Sequence, residues 1–367
     1  MIKVMISGGG TGGHIFPALA IANAIKEKYA GSEFLFVGAI GKMEMEKVPA
    51  AGYKIIGLPI TGIARSLSFK NLVFPFKLLK SIRISKRLIR EFKPDVVVGV
   101  GGFASGPLLY AASKMGIPTL IQEQNSYPGI TNKILAKRVD KVCVAYDGMD
   151  RFFPKEKIRF TGNPIRKDIT SLSGKRERGL EQFGFDGSKK IIFVTGGSLG
   201  SKTLNESAAA ALRSLEEKGI QLLWQTGLAY SAQAQEMLKH FPQLKALSLP
   251  FIKEMDYAYA IADVVISRAG AGALSELCMV QKASILVPYP FAAEDHQTKN
   301  AQALVTHKAA LMIADQEAQE KLFAMAIALV TNDEERQKLE MNISKLAVYD
   351  AAETIASEVY NLAGVRR

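Results

Sequence analysis

Residues 190–201, KIIFVTGGSLGS, repeat the pattern of residues 2–13, IKVMISGGGTGG, at an offset of 188 residues. Each is a run of β-branched and apolar residues that breaks into glycine, and each leads into a stretch with helical spacing. Strand, bare loop and helix is the opening unit of a doubly wound α/β domain. One large echo excludes a solenoid and predicts two such domains in tandem. A chain of 367 residues is long enough for two cores.

Short apolar runs alternate with helical patterns along both halves. They fall at 3–7, 33–37, 54–58, 95–100, 118–122, 141–145 and 158–161, then at 190–195, 220–224, 245–249, 263–267, 284–287 and 309–313. Strands that are apolar throughout belong to parallel sheets covered on both faces. The expected fold is therefore α/β, two doubly wound parallel-sheet Rossmann-like domains. They are placed at 1–163 and 164–350, around a hydrophilic stretch at 170–189, with a C-terminal helix in 351–367 packing back on the first. Ligands of open α/β sheets sit outside the carboxyl ends of the strands. Segments 8–13, 99–106, 122–125, 196–200 and 270–272 all follow strands. Domains facing by these edges would line a shared cleft with them.

The first glycine loop narrows the ligand. Gly8, Gly10 and Gly13 match the dinucleotide fingerprint, but the second strand runs out into Gly38 and Ala39 without the acid that a cofactor ribose needs. A nicotinamide site is disfavoured. The bare backbone and the following helix start still suit a phosphate group. A third loop, Arg268–Ser275, ends against Glu276, which either accepts from a ribose diol or complements the helix dipole. His14 stands at the rim of the first loop. It is a general base, a fixed phosphate partner or an inert residue at the helix start.

Charge and cysteine usage bound the setting. Residues 1–165 hold 24 Lys and Arg against 11 Asp and Glu, whereas residues 166–367 hold 23 against 24. The whole cationic excess lies in the first half. Cys143 and Cys278 sit in apolar contexts, which fits a reducing compartment rather than a disulfide framework. The N-terminus reads as a strand, not a signal peptide, and no apolar run is long enough to span a bilayer. Four histidines without ligand spacing make a metal site unexpected. Residues 65–93 carry nine Lys and Arg against one acid, Glu91. Lys77, Lys80, Arg83, Arg87 and Arg90 recur at helical spacing, marking a helix over 78–92 with Lys77 at its start, after a connecting segment holding Phe69, Leu72, Val73, Phe74 and Phe76. Either this is a packed helix with a solvated face, or Phe69, Leu72, Phe74, Phe76, Lys77, Lys80 and Arg83 meet an anionic membrane surface. No nucleic-acid module is present, and nucleic acid is not an expected partner.

Seven segments in order, GGTGGHIFPALAIA, GGFASGP, QEQNSYPGITNK, GNPIR, GGSLGS, SRAGAGALSE and DHQTKNA, span almost the whole chain. Together they resemble the bacterial N-acetylglucosaminyltransferases of peptidoglycan synthesis. That family moves N-acetylglucosamine from its UDP donor to undecaprenyl-pyrophosphoryl-N-acetylmuramoyl-pentapeptide, converting lipid I to lipid II. The resemblance implies the GT-B architecture, an inverting mechanism, no cofactor, no active-site metal and a peripheral place on the cytoplasmic face of the membrane. It assigns Thr11, Gly12, Gly13 and His14 to the acceptor pyrophosphate and reacting hydroxyl, and Asn125 to the donor sugar. Arg166 and Ser198 fall to the diphosphate, and Ile252 to the uracil through its backbone. Ala271, Gly272 and Ala273 fall to phosphate and sugar, Glu276 to the ribose, and His296 and Gln297 to the sugar hydroxyls. Gln122, Leu199, Gly272 and Ala273 depart from the family's usual residues. Two other readings stand beside it: a UDP-N-acetylglucosamine 2-epimerase of similar two-domain fold, and a non-catalytic nucleotide-sugar or lipid-binding module.

Overall fold

A computed structural model describes residues 2–62 and 69–364, and only the backbone of 69–72. The chain divides into two compact units, Met1–Arg166 with Asp350–Arg367, and Lys167–Tyr349.

The first unit holds strands β1 (Lys3–Ser7), β2 (Glu33–Ala39), β3 (Ile55–Leu58), β4 (Val96–Gly99), β5 (Thr119–Glu123), β6 (Lys141–Val144) and β7 (Ile158–Phe160). They form one parallel sheet in the order β3-β2-β1-β4-β5-β6-β7. Its helices are α1 (Gly12–Lys28), α2 (Glu44–Ala50), α3 (Phe69–Phe92), α4 (Ser105–Lys114) and α5 (Ile130–Leu135). In the second unit, β8 (Ile191–Thr195), β9 (Gln221–Gln225), β10 (Ala246–Leu249), β11 (Val264–Ser267), β12 (Ser284–Leu286) and β13 (Leu311–Met312) pair in parallel as β10-β9-β8-β11-β12-β13. Helices α6 (Lys175–Phe183), α7 (Lys202–Glu217), α8 (Leu228–Leu238), α9 (Met255–Ile261), α10 (Ala271–Val280), α11 (His296–Thr306), α12 (Ala318–Thr331) and α13 (Asp333–Ser344) belong to it. The last helix, α14 (Ala351–Gly364), returns to the first unit.

The apolar strands are explained by helices on both faces. Val4 and Ile6 join Ile21 and Ile25 of α1 and Ile355 and Val359 of α14, while Met5 and Val97 join Leu88 of α3 and Leu108 of α4 on the other face. Tyr29 and Tyr360 stack at 4.0 Å, fixing α14 against the end of α1. Strand β13 is shorter than the 309–313 run suggests, because its partner β12 has only three residues to pair with.

Helix α3 corrects the expected connecting segment. The helix begins at Phe69 and runs through Pro75 to Phe92. Proline there removes the bond that the carbonyl of Asn71 would accept, yet the helix continues because its inward stripe is buried. Phe74, Leu78, Leu88 and Phe92 pack into the core. On the same stripe Ser81 and Ser85 are fully buried without a hydrogen-bond partner. Phe74 therefore faces the core rather than a membrane. The side chains of Phe69 and Leu72 lie outside the described residues. Among the described residues, no helix is long and apolar enough to cross a membrane.

Candidate active-site loops

In the first unit the strand order reverses between β1 and β4, and the loops that follow them flank this switch point. Ser7, at the end of β1, lies opposite Val37 of β2 and Gly99 of β4, so the adjoining loops emerge at one level. After β1 the chain runs through Gly8–Gly10 to Thr11, which precedes α1 in an extended conformation. Thr11 is exposed, and its side chain does not cap the helix. Gly12 and Gly13 open the helix, with His14 third in it. Pro17 is the sixth helical residue, past the first turn, and so removes the bond that the Gly13 carbonyl would accept.

His14 is half-buried and locally fixed. Its Nδ1 lies 3.0 Å from the Gly9 carbonyl oxygen and 3.4 Å from Thr11 Oγ1. A carbonyl only accepts, so Nδ1 carries a proton, and in the neutral ring the lone pair is on Nε2. The turn after β4 makes room for the ring. A Cβ on Gly101 (φ 96°) would sit 2.8 Å from Nε2, and one on Gly102 (φ 85°) would strike the Gly9 backbone.

Asn125 follows β5. Its backbone N–H donates to Glu123 Oε1 at 3.0 Å and its Nδ2 at 3.1 Å, while Asn132 Nδ2 and the Gly129 N–H donate to Oε2 at 2.8 and 3.2 Å. Burial pushes the Glu123 carboxyl above its ordinary value, opposed by these donors. The carboxylate thus orders the whole 123–132 turn. Gln122, beside it, donates to Asn163 Oδ1 at 2.9 Å and is buried. Half-buried Arg166 closes the first unit.

The second unit repeats the plan between β8 and β11. Ser198 and Leu199 form the exposed tip of the loop after β8, and Leu199 is 80% exposed. Ser201, not Ser198, caps α7, accepting from the Leu204 N–H at 3.4 Å. Gln225 ends β9 and ties three pieces together. Its Nε2 donates to Thr195 Oγ1 at 3.1 Å and to the Gly197 carbonyl at 3.0 Å, and its Oε1 accepts the Ile252 N–H at 2.9 Å. Ile252 is buried, and what it can still offer a base from its backbone is the carbonyl.

Ala271, Gly272 and Ala273 form the first turn of α10, where intrahelical partners for their N–H groups are lacking. Glu276 is one and a half turns in, half-buried, and accepts from the hydroxyl of buried Tyr259 at 3.0 Å. Arg268, between β11 and this helix, bonds Ser201 Oγ, the Val287 and Pro288 carbonyls and Asp315, which fixes the loop base. Before α11 two successive residues, Glu294 (φ 56°) and Asp295 (φ 52°), adopt the left-handed conformation, a strained turn that presents His296 and Gln297. His296 Nδ1 donates to the Ala293 carbonyl at 2.6 Å, and Gln297 Oε1 accepts the Tyr289 N–H at 2.9 Å. The free capacity of Gln297 is its amide N–H2 group.

Sequence reading overlooked Glu44, Tyr259 and Gln225. Gln225 was visible as a polar end to the apolar strand QLLWQ, and Glu44 as an acid five residues past Ala39. Tyr259 left no local signal, because its partner lies across helices. Neither cysteine is suited to nucleophilic chemistry, since burial pushes both thiols up to about 12. Among the described residues, no group of three or more His, Cys, Asp or Glu is placed to hold a metal ion.

Comparison with known proteins follows the same two-unit division. Residues 4–144 match the glycosyltransferase family 28 N-terminal domain, and residues 191–355 match the glycosyltransferase family 28 C-terminal domain. A relative from Phocaeicola vulgatus, named UDP-N-acetylglucosamine--N-acetylmuramyl-(pentapeptide) pyrophosphoryl-undecaprenol N-acetylglucosamine transferase, is 53% identical, covering 99% of this chain and 96% of its own. One of the same name from Porphyromonas gingivalis is 50% identical over 98% and 95%. Among solved structures, MurG of Acinetobacter baumannii superposes with a TM-score of 0.79 at 29% identity, over 98% of this chain and all of that one. A UDP-GlcNAc 2-epimerase from Neisseria meningitidis bound to UDP-GlcNAc gives 0.65 at 14%, over 98% and 100% of the two chains, a likeness of fold alone.

Proposed function

This chain belongs to glycosyltransferase family 28, and from that membership we infer that it transfers N-acetylglucosamine from UDP-N-acetylglucosamine to N-acetylmuramyl-(pentapeptide) pyrophosphoryl-undecaprenol. The observation that carries the inference beyond likeness is the 3.0 Å contact of His14 Nδ1 with the Gly9 carbonyl at the start of α1, which in the neutral ring puts the proton on Nδ1 and makes Nε2 the basic nitrogen. The acceptor's C4 hydroxyl gives its proton to Nε2 as its oxygen bonds to the anomeric carbon. The bond from that carbon to the diphosphate breaks, and UDP leaves with the electron pair. One displacement inverts the configuration.

The remaining roles divide between the units. The N–H groups of Gly12 and Gly13, with Thr11, bind the acceptor pyrophosphate at the positive end of α1. The N–H groups of Ala271, Gly272 and Ala273 do the same for the donor diphosphate at α10, helped by Arg166 and Ser198. Glu276 accepts from the ribose diol, the Ile252 carbonyl accepts from the uracil, and Asn125, His296 and Gln297 hold the sugar. An epimerase reading has only fold likeness behind it. A product assay decides: UDP release that requires the lipid-pyrophosphate acceptor supports transfer, and epimerised UDP-sugar without acceptor overturns it.

Docking on the cytoplasmic face of an anionic membrane fits the outer stripe of α3. Val73, Phe76 and Leu79 are 48%, 73% and 53% exposed, and Lys80, Arg83, Arg87 and Arg90 continue the exposed face toward the C-terminus. Lys77 is half-buried at the junction. A cation near such a surface is worth about 1 kcal/mol. Paired Lys80→Glu and Arg83→Glu substitutions are expected to weaken binding to phosphatidylglycerol-containing vesicles at least about 30-fold. Unchanged partitioning in a flotation assay would exclude this face.

A further inference from the structure

Glu44 is a fully buried acid, the first residue of α2, and it makes no ion pair among the described contacts. Both carboxylate oxygens are used by the backbone. Oε1 accepts the Ala39 N–H at the end of β2, and Oε2 accepts the Gly10 N–H, each at 2.9 Å. A Cβ on either Gly9 or Gly38 would overlap this side chain, which accounts for glycine at both positions. Burying a carboxylate is costly, and two charge-assisted bonds offset that cost only while the loop keeps this shape.

The Gly10 N–H and the Gly9 carbonyl belong to one peptide group. Its N–H end donates to Glu44, and its carbonyl end accepts from His14 Nδ1 at 3.0 Å. Resting on the reading of His14 as the base, we propose that Glu44 is a positioning residue for His14, acting through the Gly9–Gly10 peptide. A carboxylate on the N–H of an amide draws electron density toward its carbonyl oxygen, which becomes a stronger acceptor. The polarised carbonyl holds the imidazole in the Nδ1–H tautomer, aims Nε2, and stabilises the imidazolium formed when Nε2 takes the proton. A carboxylate paired directly with histidine does the same in hydrolases; here one peptide is inserted between the two.

The test is a double-mutant cycle of Glu44→Gln and His14→Ala, with UDP affinity measured for each variant. Glutamine keeps the volume and one acceptor but cannot take both N–H bonds. Alone, Glu44→Gln is expected to lower kcat about 10- to 100-fold, the usual range for a group that orients another, with UDP affinity unchanged because none of the residues assigned to UDP touches Glu44. In the His14→Ala background it should cost nothing more. Losses that multiply would mean that Glu44 acts on the fold alone and would overturn the proposal. Nitrogen-15 spectra of the imidazole give an independent readout: wild type must show the Nδ1–H tautomer, and Glu44→Gln a mixture. Should Glu44→Gln not fold, an Nε2–H tautomer in the wild type still overturns the proposal. If His14→Ala keeps full kcat, the base reading fails instead, and the two failures are thereby distinguished.

Discussion

Replacing His14 with alanine is expected to lower kcat by about 10²- to 10⁴-fold, the contribution of a well-placed general base, while the KM for UDP-N-acetylglucosamine stays within about twofold. The split follows from where the residue sits. His14 is on the first unit, and α10 with its bare N-terminus is on the second. The groups assigned to the nucleotide, Ile252, Glu276 and the first turn of α10, keep their own contacts when the imidazole is removed. A base also predicts a pH signature, with kcat/KM of the wild type falling on the acidic side as Nε2 becomes protonated and that limb vanishing in the variant. A histidine that merely binds phosphate predicts the opposite split: a raised acceptor KM, little change in kcat, and partial rescue by lysine.

Glu276→Ala is the second large effect, and it should appear in donor affinity. A hydrogen bond to a charged group contributes about 1.5–3 kcal/mol, so loss of the ribose contacts weakens UDP binding about tenfold to a hundredfold. The substitution also leaves the buried Tyr259 hydroxyl without the acceptor it now has 3.0 Å away. Calorimetry with UDP and 2′-deoxy-UDP separates the ribose role from a dipole role. Wild type should prefer UDP, and Glu276→Ala should bind the two alike. If the preference survives the substitution, Glu276 serves the helix rather than the sugar.

Much of this molecule is readable along the chain. Val4, Met5 and Ile6 are apolar in succession because alternate side chains enter two cores, one under α1 and α14 and the other under α3 and α4. That pattern is local, and so is the glycine that follows each unit's first strand. The same holds for the exposed face of α3, whose cations recur at helical spacing. Pro75 is the instructive miss. Its cost to a helix is a local quantity, but the packing of half-buried Phe74 and Leu78 against the core is not.

What the linear order determined, then, is two parallel-sheet domains, the glycine loops that follow their strands and the family to which they belong. Only the tertiary structure decided how those loops are held. Glu44 reaches Gly10 across 34 positions, Gln225 reaches Ile252 across 27, and Tyr259 reaches Glu276 across 17. Periodicity reports which face a residue turns to, because that depends on its neighbours in the chain. Which donor meets which acceptor depends on the crossing of elements in space, and no spacing rule encodes it.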